Sequence, residues 1–534
     1  MSTDVLIVGA GPTGLMLANQ LGRRGIRPMI IDRHSGPAQQ TRAMAVHART
    51  LEIYSKLGIA AQAVESGAVG NGANMWVGGV LRARIPLEAM GKHLSPFPYV
   101  LMLGQDDNER IMGDRLRHWD TTVQWNTELV ALEQRAGHVT TTIKDPNGST
   151  RTIDAAYVAG CDGSRSAVRE MNGIGFPGAP YEHSFFVADT EATGPMVPNE
   201  LNVILWRKGF HLYFPMRGVN RWRVIGILPE HLQAGSDVKF DDVIPTLRDE
   251  GGTLTFTSCL WFSTYRIHHR RTERFRDRRC FLLGDAAHIH SPMGGQGMNT
   301  GLQDAYNLAW KLALVVSRRA DDALLDSYEA ERLPVADRLL STTDRAFKFV
   351  VSDSWVGGMF RTRIFPNVAA LAMKRQRVRK AAFLTLSQIG IRYRHSQLSR
   401  TIGPVAKDAP AAGDRFPWLR LTFRGGERNE DLFERLDDTR FNLLVIGQAA
   451  PRTESLGLGD LLRTHVVPLE GENVRVLAGV SITAPAYYLL RPDGHVGLAG
   501  THAEDDELRR WFSDCHVHAG SADRQKSGIR PESV

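Results

Sequence analysis

Cysteine is scarce and scattered. Cys161, Cys259, Cys280 and Cys515 form no CxxC pair, which argues against a zinc site or a disulfide framework and suits a reducing, cytoplasmic setting. Cys515-His516-Val517-His518 has metal-ligand residue types, but no second cluster lies near it in sequence. It reads as a surface His pair, and no metal is expected. Long apolar runs are missing too. None approaches the ~18 residues of a membrane span, and Asp4 leads straight into an apolar strand rather than a secretory leader. No membrane partner is expected. A compact basic run interleaved with aromatics is also absent: Lys and Arg, although 65 against 58 Asp and Glu, are spread along the chain. Nucleic acid is therefore not an expected partner, and the mild positive field suits anionic small molecules such as a phosphorylated dinucleotide. What remains is an ordinary globular composition over 534 residues, enough chain for two or three domains.

The first motif stands at the start. Asp4 to Val8 is a short β-branched apolar run, as expected of a buried parallel strand. It enters Gly9-Ala10-Gly11-Pro12-Thr13-Gly14, then a helix with Leu15, Ala18, Leu21 and Gly22 on one face, stopped by Gly25. A second strand, Met29 to Ile31, ends in Asp32. Gly9 permits the tight turn, Gly11 lets the backbone approach a pyrophosphate, and Gly14 lets helix and strand pack closely. The helix N-terminus offers free N–H groups and partial positive charge to phosphates. Asp32 falls where a carboxylate accepts from ribose hydroxyls and would repel a 2′-phosphate, so this site wants FAD or NAD rather than NADP.

Two later segments choose between those cofactors. Arg278 to Leu283 reads as a strand ending in Gly284-Asp285-Ala286-Ala287-His288, followed by Pro292, Gly294, Gly295, Gln296, Gly297, Met298, Asn299 and Gly301. A helix then runs to about Val316, with Leu302, Ala305, Ala309, Leu312, Ala313 and Val316 on its buried face. Asp285 at a strand end suits ribityl hydroxyls, and the glycines let N–H groups crowd a second phosphate and a flavin carbonyl edge. The other segment, Gly160-Cys161-Asp162-Gly163-Ser164-Arg165-Ser166-Ala167-Val168-Arg169, follows the apolar strand Ala155 to Ala159. Its two arginines beside an Asp-Gly turn offer a seat for nicotinamide dinucleotide phosphates, although a plain turn with surface arginines would look the same.

Together GAGPTG, CDGSRSAVR and GDAAHIHSPMGGQGMNTGLQDAYNLAWKLA, in that order, resemble the class A flavoprotein monooxygenases, the family of p-hydroxybenzoate hydroxylase and phenol hydroxylase. The resemblance covers roughly residues 1–400. It implies an α/β fold: a Rossmann-type, p-hydroxybenzoate hydroxylase-like FAD-binding domain (1–175 and 276–400), an inserted antiparallel-sheet substrate domain (176–275) and a C-terminal thioredoxin-like domain (406–534) without CxxC. It implies FAD as cofactor, held by Gly9, Gly11, Pro12, Gly14, Asp32, Arg33, Arg42, Gln105, Asp162, Arg165, Asp285, Pro292, Gly295, Gly297, Met298 and Asn299. Arg42 and Gln105 would meet the flavin side, Asp285 the ribityl chain, and Asp162 and Arg165 both FAD and pyridine nucleotide. No second dinucleotide motif exists for NADPH or NADH, so the nicotinamide is expected to bind transiently. The implied chemistry is hydroxylation of a small phenolic substrate by O2 through a flavin C4a-hydroperoxide. The tail, with Phe441 to Gly447 and Tyr488 to Asp493, looks like the phenol-hydroxylase branch and implies packing and homodimer formation. The stretch Ile389 to Ser396 resembles the link found in chlorophenol and polyketide hydroxylases.

Between the later motifs, Asn202 to Trp206, Phe210 to Phe214 and Trp222 to Leu228 alternate as antiparallel strands do. Such a sheet would roof the flavin. Trp206, Trp222, Arg223 and Tyr265 are candidates to line a substrate pocket, and His211, Tyr213 and Tyr393 are candidates to partner or deprotonate the phenol. Each of these reads as readily as core. Rival readings are a polycyclic polyketide substrate, a flavin reductase or halogenase on the same fold, and a flavin-binding protein without turnover. A halogenase's Trp-x-Trp-x-Ile-Pro segment is missing, since Arg221-Trp222-Arg223-Val224-Ile225 lacks the second Trp.

Overall fold

The computed structural model describes residues 1–38, 43–233, 237–291, 293–351 and 354–518. Ser2–Val8 is the hub of the first sheet. It lies parallel to Thr150–Gly160 on one side and to Met29–Ile31 on the other. Cys280–Leu282 and Val123–Gln124 extend the parallel set. Val5 to Val8 are all buried, because crossover helices cover both faces of a parallel sheet and alternation disappears. The helices Pro12–Gly22 and Gly297–Val316 share this core. Two antiparallel strands, Glu128–Gln134 and Val139–Lys144, fold back onto Thr150–Gly160.

The second sheet has eight strands. Gly178–Thr193, Leu201–Trp206, Gly209–Pro215, Arg221–Ile227 and Thr255–Arg271 come from the expected segment. Gly72–Val77 and Val80–Pro86 do not: they lie within the first 175 residues, and Leu201–Trp206 pairs parallel with Gly72–Val77. His288–Ile289, beyond the segment, pairs with Thr255–Arg271. The 176–275 boundary therefore misses three strands, because pairings so remote in sequence leave no local signal. One face is covered by the helix Phe240–Gly251, whose Phe240, Val243 and Leu247 pack on Phe186, Ile204, Tyr213, Trp222 and Val224. The opposite face carries Phe185, Leu205, Phe210, Leu212, Ile227 and Tyr265, with Phe365 against it.

The C-terminal part is a five-stranded mixed sheet in the order Arg400–Thr401, Val496–Gly500, Ala486–Leu490, Phe441–Ile446, Leu462–Val467. Along Phe441–Ile446, Leu443 and Val445 enter one core while Leu444 and Ile446 enter another, the period of two that a strand imposes. Trp310 and Leu314, on the long helix of the first sheet, belong to the Leu443 core. A wholly buried ionic seam reinforces the joint: Arg491 donates to Glu331 Oε1 at 2.5 Å, and Lys311 Nζ donates to Glu331 Oε2 at 2.8 Å. Cys515 is buried in this core, and His516 and His518 face Asp321. Among the described residues, no group of His, Cys, Asp and Glu is arranged to hold a metal, and no helix is long and apolar enough to cross a membrane.

Candidate cofactor and substrate site

In the first sheet, Val8 pairs with both Gly160 and Ile31, and Gly160 pairs with Leu282. Four adjacent parallel strands thus end level. GAGPTG, Asp32, Cys161-Asp162-Gly163 and Gly284-Asp285 follow them, at the carboxyl edge where open α/β sheets bind their ligands. The turns touch. A Cβ on Gly9, which has φ +104°, would collide with the Cys161 carbonyl, and one on Gly14 would collide with the Gly9 carbonyl oxygen. One on Gly284 would stand 2.6 Å from Thr13 Oγ1. Gly11 is the exception: a Cβ there would meet nothing in the protein.

That clearance suits the close approach of a pyrophosphate. Gly11 is the N-cap of Pro12–Gly22 and no side chain caps the helix, so its first N–H groups face the gap. Asp32 Oδ2 accepts from Ala10 N at 2.7 Å and Oδ1 from His34 N at 2.8 Å, which aims the carboxylate across the turn. Arg33 is exposed beside it. Asp162 Oδ2 caps Val168 N at 3.1 Å, while Oδ1 is buried with no partner, and burial pushes this carboxyl up. An orphaned acceptor beside a glycine turn fits a ligand bearing hydroxyls. Arg165 is exposed on the same turn; Arg169 is buried and holds the turn through Ala286 O and Ser164 O.

At the flavin end, Gly294 and Gly295 adopt φ of 77° and 63°, backbone that side chains rarely accept. His47 fixes them. Burial lowers its imidazole to about 4, so the ring is neutral, and its Nε2 donates to Gly294 O at 2.8 Å. Asn299 is fully engaged within the protein: it accepts from His47 N and Thr50 Oγ1 and donates to Ala45 O and Gly295 O. Met298 takes a contact from Asn108, and Gln105 donates to Glu109 Oε1 at 2.8 Å. Asn299 therefore shapes the loop, leaving backbone groups from Gly295 to Gly297 to meet a cofactor. Asp285 stands exposed at its strand end. Arg42 and Pro292 lie outside the described residues.

Strand parity sorts the substrate candidates. Tyr213 pairs with Val224 and His211 with Gly226, and these side chains share the face under the helix Phe240–Gly251. Tyr213 is 0% exposed with its hydroxyl unpartnered, and His211 has neither ring nitrogen bonded and is lowered by burial to about 3. Trp222 belongs to the same core, and Trp206 leans on His211. Tyr213, His211 and Trp222 do not suit the phenol-partnering and pocket-lining roles expected above, because they are core; Trp206 leans on this core but is half-buried. Tyr393 is elsewhere again, accepting from Arg332 Nη1 at 2.9 Å and lying 4.3 Å from His495 in the joint with the C-terminal sheet. Arg223 is on the other face but is held bidentate by Asp189 at 2.6 Å. Of the candidates, Tyr265 lies on the face opposite the helix Phe240–Gly251 with no such engagement of its ring, beside Phe185 at 6.1 Å. That face turns toward the cradle, because Phe214 and Met216 at its end pack with Met44, Ala45, Val100 and Met102.

The FAD binding domain family model matches residues 2–343. The 6-methylpretetramide 4-monooxygenase of Streptomyces rimosus is 32% identical, over 96% of this chain and 94% of its own. The chain belongs to the class A FAD-dependent aromatic monooxygenases. The pentachlorophenol 4-monooxygenase of Sphingobium chlorophenolicum is 32% identical over 84% of this chain and 80% of its own. The solved anhydrotetracycline hydroxylase of Streptomyces rimosus superposes with a TM-score of 0.75 at 27% identity, covering 96% of this chain and 99% of that one. FAD is accordingly the cofactor of this monooxygenase, and the cradle fits it.

Sequence reasoning missed His47 and Asp304 of the monooxygenase's cradle. Asp304, on the inner side of Gly297–Val316, accepts from Gly284 N at 3.1 Å and His288 Nε2 at 2.7 Å through Oδ2, and from Arg332 Nε at 2.6 Å through Oδ1. It pins the Gly-Asp turn from behind. The available signal for Asp304 was the single acidic residue of a helix that is otherwise free of Asp and Glu and reads as buried, which demands a buried partner. Leu212 and Phe214 were missed as well, because alternation reports two faces without saying which is inward.

Proposed function

We propose that this monooxygenase hydroxylates a phenolic aromatic substrate, using NADH or NADPH as reductant and delivering one atom of O2 to the ring and the other to water. The observation that carries the reading is the apolar sheet face with Leu212, Phe214, Ile225 and Tyr265 on the side of the cofactor cradle. FAD, when bound, supplies hydride acceptance and O2 activation. The protein's share is binding and exclusion. Gly11 and the uncapped helix N-terminus hold the pyrophosphate, Asp32 the ribose, Asp285 the ribityl chain, and amides from Gly295 to Gly297 the flavin edge. The aliphatic and aromatic face keeps water from the reacting ring, and the Tyr265 hydroxyl takes the place first assigned to Tyr213 as partner of the substrate oxygen.

A polycyclic polyketide is the second reading. It is favoured by the fuller match to the 6-methylpretetramide enzyme, over 96% of this chain, than to the pentachlorophenol enzyme, over 84%. The C-terminal mixed sheet with its helices Glu472–Gly479 and Asp505–Asp514 is proposed to be a thioredoxin-like module for packing and homodimer formation. Its single cysteine, Cys515, denies it a dithiol role.

The test is NADH and NADPH oxidation by the yellow protein against one-ring and fused-ring phenols, with hydroxylated product and H2O2 both quantified. Stimulated oxidation with matching product is expected. Stimulation by no phenol of either size would overturn the reading.

A further inference from the structure

Asp and Glu are unevenly distributed along the chain, and residues 374–380 read KRQRVRK. Between Asp353 and Asp408 there are 54 consecutive residues without an acid, and they contain 11 of the 65 Lys and Arg. The rest of the chain carries 54 basic against 58 acidic residues, so the whole positive excess resides in this one stretch. The stretch includes the helices Trp355–Met359, Phe365–Ala372 and Gln376–Leu386. Its inner side is anchored: Arg361 donates to Trp206 O and Arg207 O, Phe365 packs on the sheet, and Phe383 is buried.

Its outer side is neither paired nor covered. Arg363, Lys374, Arg375, Arg377 and Lys380 are exposed and Arg379 is half-buried, and none of the six has an ion pair among the described residues. By contrast Arg392, Arg394 and Arg400, later in the same stretch, are paired to Asp414 and Asp514. Beside the cations stand exposed apolar side chains: Trp355 at 64%, Val356 at 64%, Ile364 at 40%, Val368 at 54% and Leu371 at 66%. Ile364, Val368 and Leu371 follow i, i+4, i+7 spacing and make one stripe. Exposed Trp and aliphatic groups flanked by unpaired Arg and Lys, with acid absent, match an interfacial element on an anionic lipid surface. A second copy is a poor occupant, since a two-fold contact would set these like charges against one another.

We propose that this acid-free helical segment docks the enzyme peripherally on anionic lipid bilayers, its cations meeting lipid phosphates and Trp355, Val368 and Leu371 entering the headgroup boundary. The inference departs from the expectation of no membrane partner, which rested on the lack of a spanning run, and it does not depend on which aromatic substrate is hydroxylated. It is tested with the FAD-loaded protein sedimented with phosphatidylcholine vesicles, with and without phosphatidylglycerol. Binding is expected only to the anionic vesicles and falls about tenfold or more at high salt. The charge reversal Arg375→Glu/Arg377→Glu/Lys380→Glu abolishes it, and Leu371→Asp weakens it at low salt, both with unchanged flavin absorbance and basal NAD(P)H oxidation. No binding to anionic vesicles, or equal binding by the charge-reversed protein, would overturn the proposal. So would equal affinity for polyglutamate with no effect of Leu371→Asp, which would mean a charge patch for acidic polypeptides. A wild-type dimer mass halved by Leu371→Asp, without vesicle binding, would assign the face to self-association instead.

Discussion

The cofactor cradle and the sheet that faces it are built by opposite means. In the cradle, function rests on side chains that are missing: Gly9, Gly14 and Gly284 bring three turns into contact, and Gly11 leaves a gap at a bare helix end. In the sheet, function rests on which side chains stand on one face, Leu212, Phe214 and Tyr265, while the other is sealed under a helix. A missing Cβ cannot be compensated by repacking, because backbone occupies its place. An apolar face can exchange one hydrophobe for another of similar volume at modest cost. The cradle should therefore be brittle and the sheet tolerant.

The largest effect is expected where the cradle is tightest. Gly14→Ala drives a methyl into the Gly9 carbonyl, and should lower FAD affinity on the order of 100-fold or more, measured by flavin fluorescence on the deflavinated protein. Gly11→Ala meets no protein atom. It should leave the melting temperature of the deflavinated protein unchanged and weaken FAD binding about tenfold, so loss of stability would break the distinction between gap and contact.

Next is Asp304, the cradle's support. Asp304→Asn strands the buried Arg332 guanidinium and should cost about 3–5 kcal/mol in denaturant unfolding. Burial alone would raise this carboxyl, but Arg332 and His288 outweigh it and hold it below the usual range. Its contribution is therefore fully present above the unfolded value near 3.8 and is lost as pH falls through the lower folded value. Stability of the wild type minus the variant should shrink only in acid; a difference that instead shrinks toward neutral pH would deny the ion pair.

The sheet supplies the smaller effects. Tyr265→Phe should lower kcat/KM for a phenol about tenfold while leaving the unfolding free energy within about 0.5 kcal/mol of wild type. Tyr213→Phe, which removes a buried unpartnered hydroxyl, should leave turnover unchanged and stabilise the fold by about 1 kcal/mol. If the two tyrosines exchanged behaviours, the assignment of the inward face would be reversed.

The chain alone determined the cradle, its cofactor and the family, because a glycine at a turn and an acid at a strand end act through backbone geometry that neighbours in sequence already fix. Val8, Ile31, Gly160 and Leu282 each end a local apolar run, and their common level follows from parallel pairing. The tertiary structure decided what depends on a second surface. It gave the inward face of the sheet to Leu212 and Phe214 rather than Tyr213, because the helix Phe240–Gly251 claimed the other side. It drew in Gly72–Val77 by a remote pairing, buried Tyr393 against His495, and left six exposed or half-buried cations without an ion pair among the described residues. Alternation in a strand has a period but no sign, and only the partner that covers one face supplies the sign.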